Sequence, residues 1–176
     1  SLLVSCGWHC AFLGIEGRPP GSTLFPYTTR FRSHLTIVGG GGLEAELRGL
    51  LGSKDLRDTV TLTGRCEAEE MPQIYREHDV YVSASMQEGM SNAMLEAMAT
   101  GLPLVTTRCE GVEELIANNG VVVDDSTPAA LAGAVRRLAG DPATIRAMAL
   151  ASRKKAEDFS WAAVAESYLR LYAKVK

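Results

Sequence analysis

From residue 34 to the end of the chain, apolar and polar positions fall into two patterns that succeed one another. Short, mostly apolar runs at 35–38 (LTIV), 60–63 (VTLT), 79–82 (DVYV), 102–105 (LPLV) and 121–123 (VVV) read as strands. Between them, at 43–51, 69–78, 93–100 and 112–117, the apolar residues recur every three or four positions, as on one face of a helix. Pro72 is tolerable only in a first turn, so the second of these helices should start close to Met71. Three more helices, 127–139, 142–158 and 161–175, close the chain, with Ser126 or Thr127, Asp141 and Ser160 as expected caps. Strands alternating with helices predict an α/β domain on a parallel sheet.

Residues 1–33 break the pattern. They carry no sustained period, set Pro19 beside Pro20, and end in TLFPYTTRFRS (23–33), which resembles the translation of a sequencing adapter. The expectation is an adapter-derived arm that adds little to the fold, with the natural sequence and a single domain running from 34 to 176.

At 176 residues, 46% of them hydrophobic, the chain can bury a real core. Lys and Arg number 18 against 21 Asp and Glu, a formal charge of −3, so there is no basic footprint for a nucleic acid. No apolar stretch approaches the length of a membrane span. The four cysteines, Cys6, Cys10, Cys66 and Cys109, match neither a zinc site nor a disulfide framework, and a reducing, cytoplasmic setting is expected. Asp124 and Asp125 read as solvated turn carboxylates at a strand end, not as metal ligands.

The stretch 88–105, EGMSNAMLEAMATGLPLV, concentrates the chemistry. A loop rich in small and polar residues leads to Ser91 or Asn92 as helix cap, and Gly101 with Pro103 supplies the stop. Such a helix start offers unpaired N–H groups and partial positive charge to a phosphate, at the sheet edge where α/β folds bind ligands. At 100° per residue Met94, Leu95 and Met98 share one face while Glu96 projects nearly opposite. Glu88 lies on the preceding loop, so two carboxylates are expected to flank one ligand. Taken singly, each is an ordinary surface acid.

The whole string resembles the E-x7-E donor-site motif of retaining, nucleotide-sugar-dependent glycosyltransferases of the GT-B fold, in particular family 4. The segment from Leu35 through the glycines at 39–42 is similar to that family's L-x-I-V-G-x-G, although Glu44 stands where a G-x-G-x-x-G pattern needs its third glycine. Further likenesses are a second glycine-bearing loop before the strand at 121–123 and a C-terminal helix opened by Phe159, Ser160 and Trp161. In such enzymes that helix commonly crosses to the other domain.

The resemblance implies the C-terminal, donor-binding half of a two-domain enzyme, Rossmann-like, with helices on both faces of a parallel sheet. Glu88, as catalytic residue, would meet hydroxyls of the donor sugar; Gly89, Met90, Ser91 and Asn92 would present backbone N–H groups to sugar and phosphate. Glu96 would accept from the ribose, and the backbone around Arg65 and Cys66 would meet the base. It further implies no metal and no cofactor beyond the nucleotide-diphosphate sugar itself. The acceptor-binding half is missing, with any membrane-surface contact belonging to it. Missing too are the first strand of this half and the Arg and Lys that neutralise the diphosphate, for which Arg18 and Arg30 are not substitutes. The chain alone is therefore expected to be inactive. A GT-B-fold sugar-nucleotide epimerase and a non-catalytic nucleotide-binding module are the alternatives, the first requiring additional catalytic acids and a histidine near the cleft.

Overall fold

The computed structural model describes residues 10–16, 32–86 and 90–174. The elements run β1 (Cys10–Glu16), β2 (Arg32–Val38), α1 (Glu44–Ser53), β3 (Val60–Gly64), α2 (Met71–Glu77), β4 (Val80–Ser83), α3 (Asn92–Thr100) and β5 (Leu104–Thr107). They continue with α4 (Val112–Leu115), β6 (Gly120–Val123), α5 (Pro128–Ala139), α6 (Pro142–Ala156), a 3-10 turn (Glu157–Phe159) and α7 (Trp161–Lys174). The expected caps of the last three helices are in place: Thr127 accepts from the amide of Ala130, Asp141 from that of Thr144 and Ser160 from that of Ala163. The Thr144 hydroxyl, and then its amide, hold the Asp141 carboxyl below the usual carboxylate range.

The strands form one sheet in the order β3-β2-β1-β4-β5-β6, with helices on both faces. Alternation along each strand divides the core. In β4, Tyr81 packs with Tyr75 of α2 and with Met94, Ala97 and Met98 of α3, while Val80 and Val82 pack on the other face with Ala134, Leu138 and Ile145 of α5 and α6. Every strand but one runs in the same direction, which brings the C-terminal ends of β2 through β6 to a common edge.

The exception is β1. It lies between β2 and β4 and is antiparallel to both, pairing Ala11 with Ile37 on one side and with Val82 on the other. The Phe12 ring is 0% exposed and stands edge-on to Tyr75 and Tyr81, at 5.0 and 5.4 Å between centroids. Leu13 is buried on the opposite face beside Val80, Val82 and Val105. At the far edge the Asp79 carboxylate accepts from the amide of Ile15 at 2.8 Å. For Cys10–Glu16 the structure differs from the expectation that the arm before residue 34 adds little to the fold. Two facing strands with unpaired amides and carbonyls need a strand between them, and CAFLGIE supplies apolar residues for both faces. β2 likewise begins at Arg32, inside the expected arm; the adapter-like string as far as Phe31 lies outside the described residues.

α3 is held firmly at its C-terminal end. Gly101 ends it in a left-handed conformation, φ 85°, which a side chain resists, and the amides of Gly101 and Leu102 close back on the carbonyls of Met98 and Ala97. From α6, the fully buried Ser152 hydroxyl donates to the carbonyl of Leu102 at 2.7 Å, and Arg153 donates to the carbonyl of Ala99. The buried Asn119 side chain satisfies the Leu115 carbonyl and the Ala117 amide, and its own carbonyl takes the amide of Leu104. Beside it a Cβ on Gly120 would come within 2.5 Å of the Leu104 carbonyl oxygen, so β6 approaches β5 only because this residue has no side chain.

Two stability outcomes follow. Phe12→Ala should cost about 3–5 kcal/mol, measured by denaturant unfolding, because it empties a well-packed aromatic site; a loss under about 1 kcal/mol would mean that β1 is not part of the core. Gly120→Ala should cost about 1–3 kcal/mol through the forced separation of β5 and β6, and unchanged stability would contradict that close approach.

Candidate functional site

The common edge of the parallel strands carries the site. At its left flank the amide of Gly39, just past β2, donates to the carbonyl of Gly64 at 2.8 Å, tying the ends of β2 and β3 together. Gly40 lies against the backbone of Arg65: a Cβ there would be 3.7 Å from the Arg65 nitrogen. The Arg65 side chain is exposed, while Cys66 is half-buried against the cluster of Val38, Tyr75 and Met94, its thiol 3.4 Å from the Thr63 hydroxyl.

α3 begins on the other side of that cluster. Ser91 is its N-cap, buried and in an extended conformation, but its hydroxyl makes no capping bond; only its carbonyl engages, accepting from the amide of Leu95. The first-turn amides of α3 are thus left unclaimed by the cap side chain, the arrangement in which a helix start receives an anion. Asn92, the first helical residue, and Met90 before it are exposed. Glu88 and Gly89 lie outside the described residues.

Glu96, one turn into the helix, is exposed, and Met94 and Met98 are buried, as the helical period requires. Its carboxylate is nonetheless not adrift. The Tyr75 hydroxyl, on a side chain only 2% exposed, donates to Glu96 Oε2 at 2.8 Å and lies 3.4 Å from the Ala93 carbonyl. A buried phenol on α2 therefore fixes one oxygen of a solvent-facing acid on α3. The sequence marks Glu96 as outward-facing and gives no sign that it meets Tyr75.

Two further groups shape the edge. Thr107, at the end of β5, donates to the carbonyl of Ser85 at 2.6 Å, and the amide of Ser85 reaches the Ser83 hydroxyl at 3.3 Å, so the loop toward Glu88 leaves from a fixed base. Sequence reasoning missed Thr107, whose only signal is a polar residue closing a buried strand. Beyond it an open cleft of about 510 Å³ is lined by Met86, Arg108, Cys109 and Glu113 among others. Arg108 bridges Glu113 on α4 and Asp124 after β6, both at 2.5 Å, and the bond to Asp124 above all makes its guanidinium hold its proton more tightly than usual. Asp125 caps the turn by accepting from the amide of Thr127. Among the described residues no group of three or more His, Cys, Asp or Glu side chains is placed to hold a metal ion.

The described histidines, His34 and His78, lie elsewhere. His78 donates from Nδ1 to the carbonyl of Ile74 and shares a hydrogen bond between Nε2 and the Thr36 hydroxyl, and His34 pairs with Thr61. Both line a cleft at the opposite edge, with Gly14 and Asp79, away from the start of α3. Among the described residues no helix is long and apolar enough to cross a membrane.

Comparison with known proteins agrees with this geometry. A family model described as "Glycosyl transferases group 1" matches residues 25–141, from within the arm to the end of α5. The amylovoran biosynthesis glycosyltransferase AmsK of Erwinia amylovora is 36% identical over 130 residues, 69% of this chain and 32% of that protein. Sucrose-phosphate synthase from Thermosynechococcus elongatus has a similar structure, with a TM-score of 0.66 at 29% identity over 80% of this chain and 38% of that one. The pneumococcal O-GlcNAc transferase GtfA, solved with UDP and GlcNAc, gives 0.62 at 26% identity, covering 80% of this chain and 29% of its own. This chain spans roughly a third of the length of the curated relatives it matches. By the match over most of its length and by its GT-B-type α/β domain, the chain belongs to the glycosyl transferases group 1 family.

Proposed function

We propose that this chain is the donor-binding half of a retaining, family 4 glycosyltransferase that moves a sugar from a nucleotide-diphosphate sugar to an acceptor held by a second, N-terminal half. The observation that carries the reading is the carboxylate of Glu96, held by Tyr75 beside the start of α3 at the sheet's C-terminal edge. That edge is where α/β folds take nucleotides.

On this reading the ribose hydroxyls donate to Glu96, the base lies along the backbone at Arg65 and Cys66, and Gly89 to Asn92 offer amides to sugar and phosphate. Glu88 accepts from hydroxyls of the donor sugar. As the bond between the anomeric carbon and the diphosphate oxygen breaks, negative charge grows on the leaving group, and the N-terminal dipole of α3 favours it. The roles need no metal. The relative solved with UDP and GlcNAc supports a nucleotide-sugar ligand, and the half-buried thiol of Cys66 accords with a cytoplasmic setting.

Two outcomes test the reading. The purified 176-residue chain should transfer no sugar from any donor, because the acceptor must be positioned as well as the donor bound; measurable turnover would refute the assignment to one half of an enzyme. Glu96→Gln should weaken both a nucleoside diphosphate and its sugar conjugate, whereas Glu88→Gln should weaken the conjugate alone. Each loss should be on the order of tenfold to a hundredfold, the cost of one charge-assisted hydrogen bond. Calorimetric titrations in which both substitutions act equally on both ligands would sink the division of roles.

A further inference from the structure

We infer that Tyr75 is a positioning residue for the nucleotide: its hydroxyl pre-orients the Glu96 carboxylate so that the remaining oxygen faces the ribose. The inference rests on the ribose role proposed for Glu96 and adds a residue that reaches the ligand only through that side chain.

The argument begins with the cost of ordering a glutamate. An exposed Glu samples many rotamers, and fixing it on ligand binding opposes affinity. Glu96 is exposed, yet Oε2 already accepts from Tyr75 at 2.8 Å. The phenol is itself immobile. It projects from α2, is 2% exposed, and its ring is clamped edge-on by Phe12 at 5.0 Å. Phe12 in turn is 0% exposed in the central strand. A rigid donor thus holds one oxygen of an otherwise mobile acid, and a carboxylate has lone pairs to spare for a diol on the other.

The position along the helix also fits. Ala93 and Glu96 are three residues apart and so share a face of α3, and the same hydroxyl lies near the Ala93 carbonyl at 3.4 Å. Tyr75 therefore spans the first turn of α3, and it fixes Glu96 relative to the amides that would meet the phosphates. Ribose and diphosphate are joined covalently, so the spacing between their two receptors matters as much as either one.

The test is calorimetric titration of the chain and its variants with UDP and with the 2′,3′-dideoxy analogue of UDP. Tyr75→Phe keeps the ring and its contact with Phe12 and removes the hydroxyl. It should weaken UDP about three- to tenfold, the loss expected when one side chain must be ordered on binding. It should leave the dideoxy analogue unchanged, and should have no further effect on UDP in a Glu96→Ala background. Equal weakening of UDP and the dideoxy analogue would show that Tyr75 acts through the fold at large, and overturns the inference. So does unchanged UDP affinity in Tyr75→Phe when Glu96→Ala alone weakens UDP, an outcome that leaves the proposed ribose role standing. If Glu96→Ala has no effect on UDP, or the parent chain shows no binding at millimolar UDP, the ribose role fails first and the inference falls with it.

Discussion

Between β2 and β4 the sheet has a slot one strand wide, and its occupation decides the rest of the structure. Left open, the slot would set two rows of buried amides and carbonyls opposite one another without partners, a cost no side-chain packing offsets. β1 closes it from both sides and places Phe12 under the helices that carry Tyr75 and Glu96. The direction in which the strand runs matters less to the core than its alternation. Phe12 serves one face and Leu13 the other, and either polarity would present such a pair.

The site inherits its rigidity from that core by a short chain of contacts. Phe12 holds the ring of Tyr75, Tyr75 holds Glu96, and α3 is fixed at its far end by Gly101 and by Ser152 reaching across from α6. Both ends of the helix are therefore set by elements far apart in sequence. An acid that must meet a ligand at a defined distance from the helix start is best carried by such an element, because reorganisation on binding is then small.

Much of this was legible in the sequence. The parallel strands after residue 34, the helix over the central motif with its glycine stop, and the caps of the last three helices all follow from local rules, since apolar period and cap chemistry act within a few residues. β1 was not legible. Its seven residues sit in an aperiodic stretch, and strand formation there depends on two neighbours supplied from elsewhere, the context that propensity does not carry. At the site, the outward Glu96 could be read from the helical period. Its bond to Tyr75 could not, because it depends on how α2 crosses α3. Ser152 was hidden for a related reason: one hydroxyl in mid-helix looks like a surface residue until the Leu102 carbonyl is found beneath it.

The antiparallel central strand also carries the longest closure of the chain among the described strand pairs. β2 with β3, β4 with β5, and β5 with β6 are joined by single crossovers, so each pair needs only a modest closure of the chain. The pairing of Ala11 with Val82 is different, since it links the start of the described chain to a strand lying beyond α1 and α2. It is the seam between two locally formed halves, β1 to β3 and β4 to β6. Loop-closure entropy weighs more on this pairing than on the single crossovers, and the ring of Phe12 is seated against Tyr75 and Tyr81 only when that seam is closed.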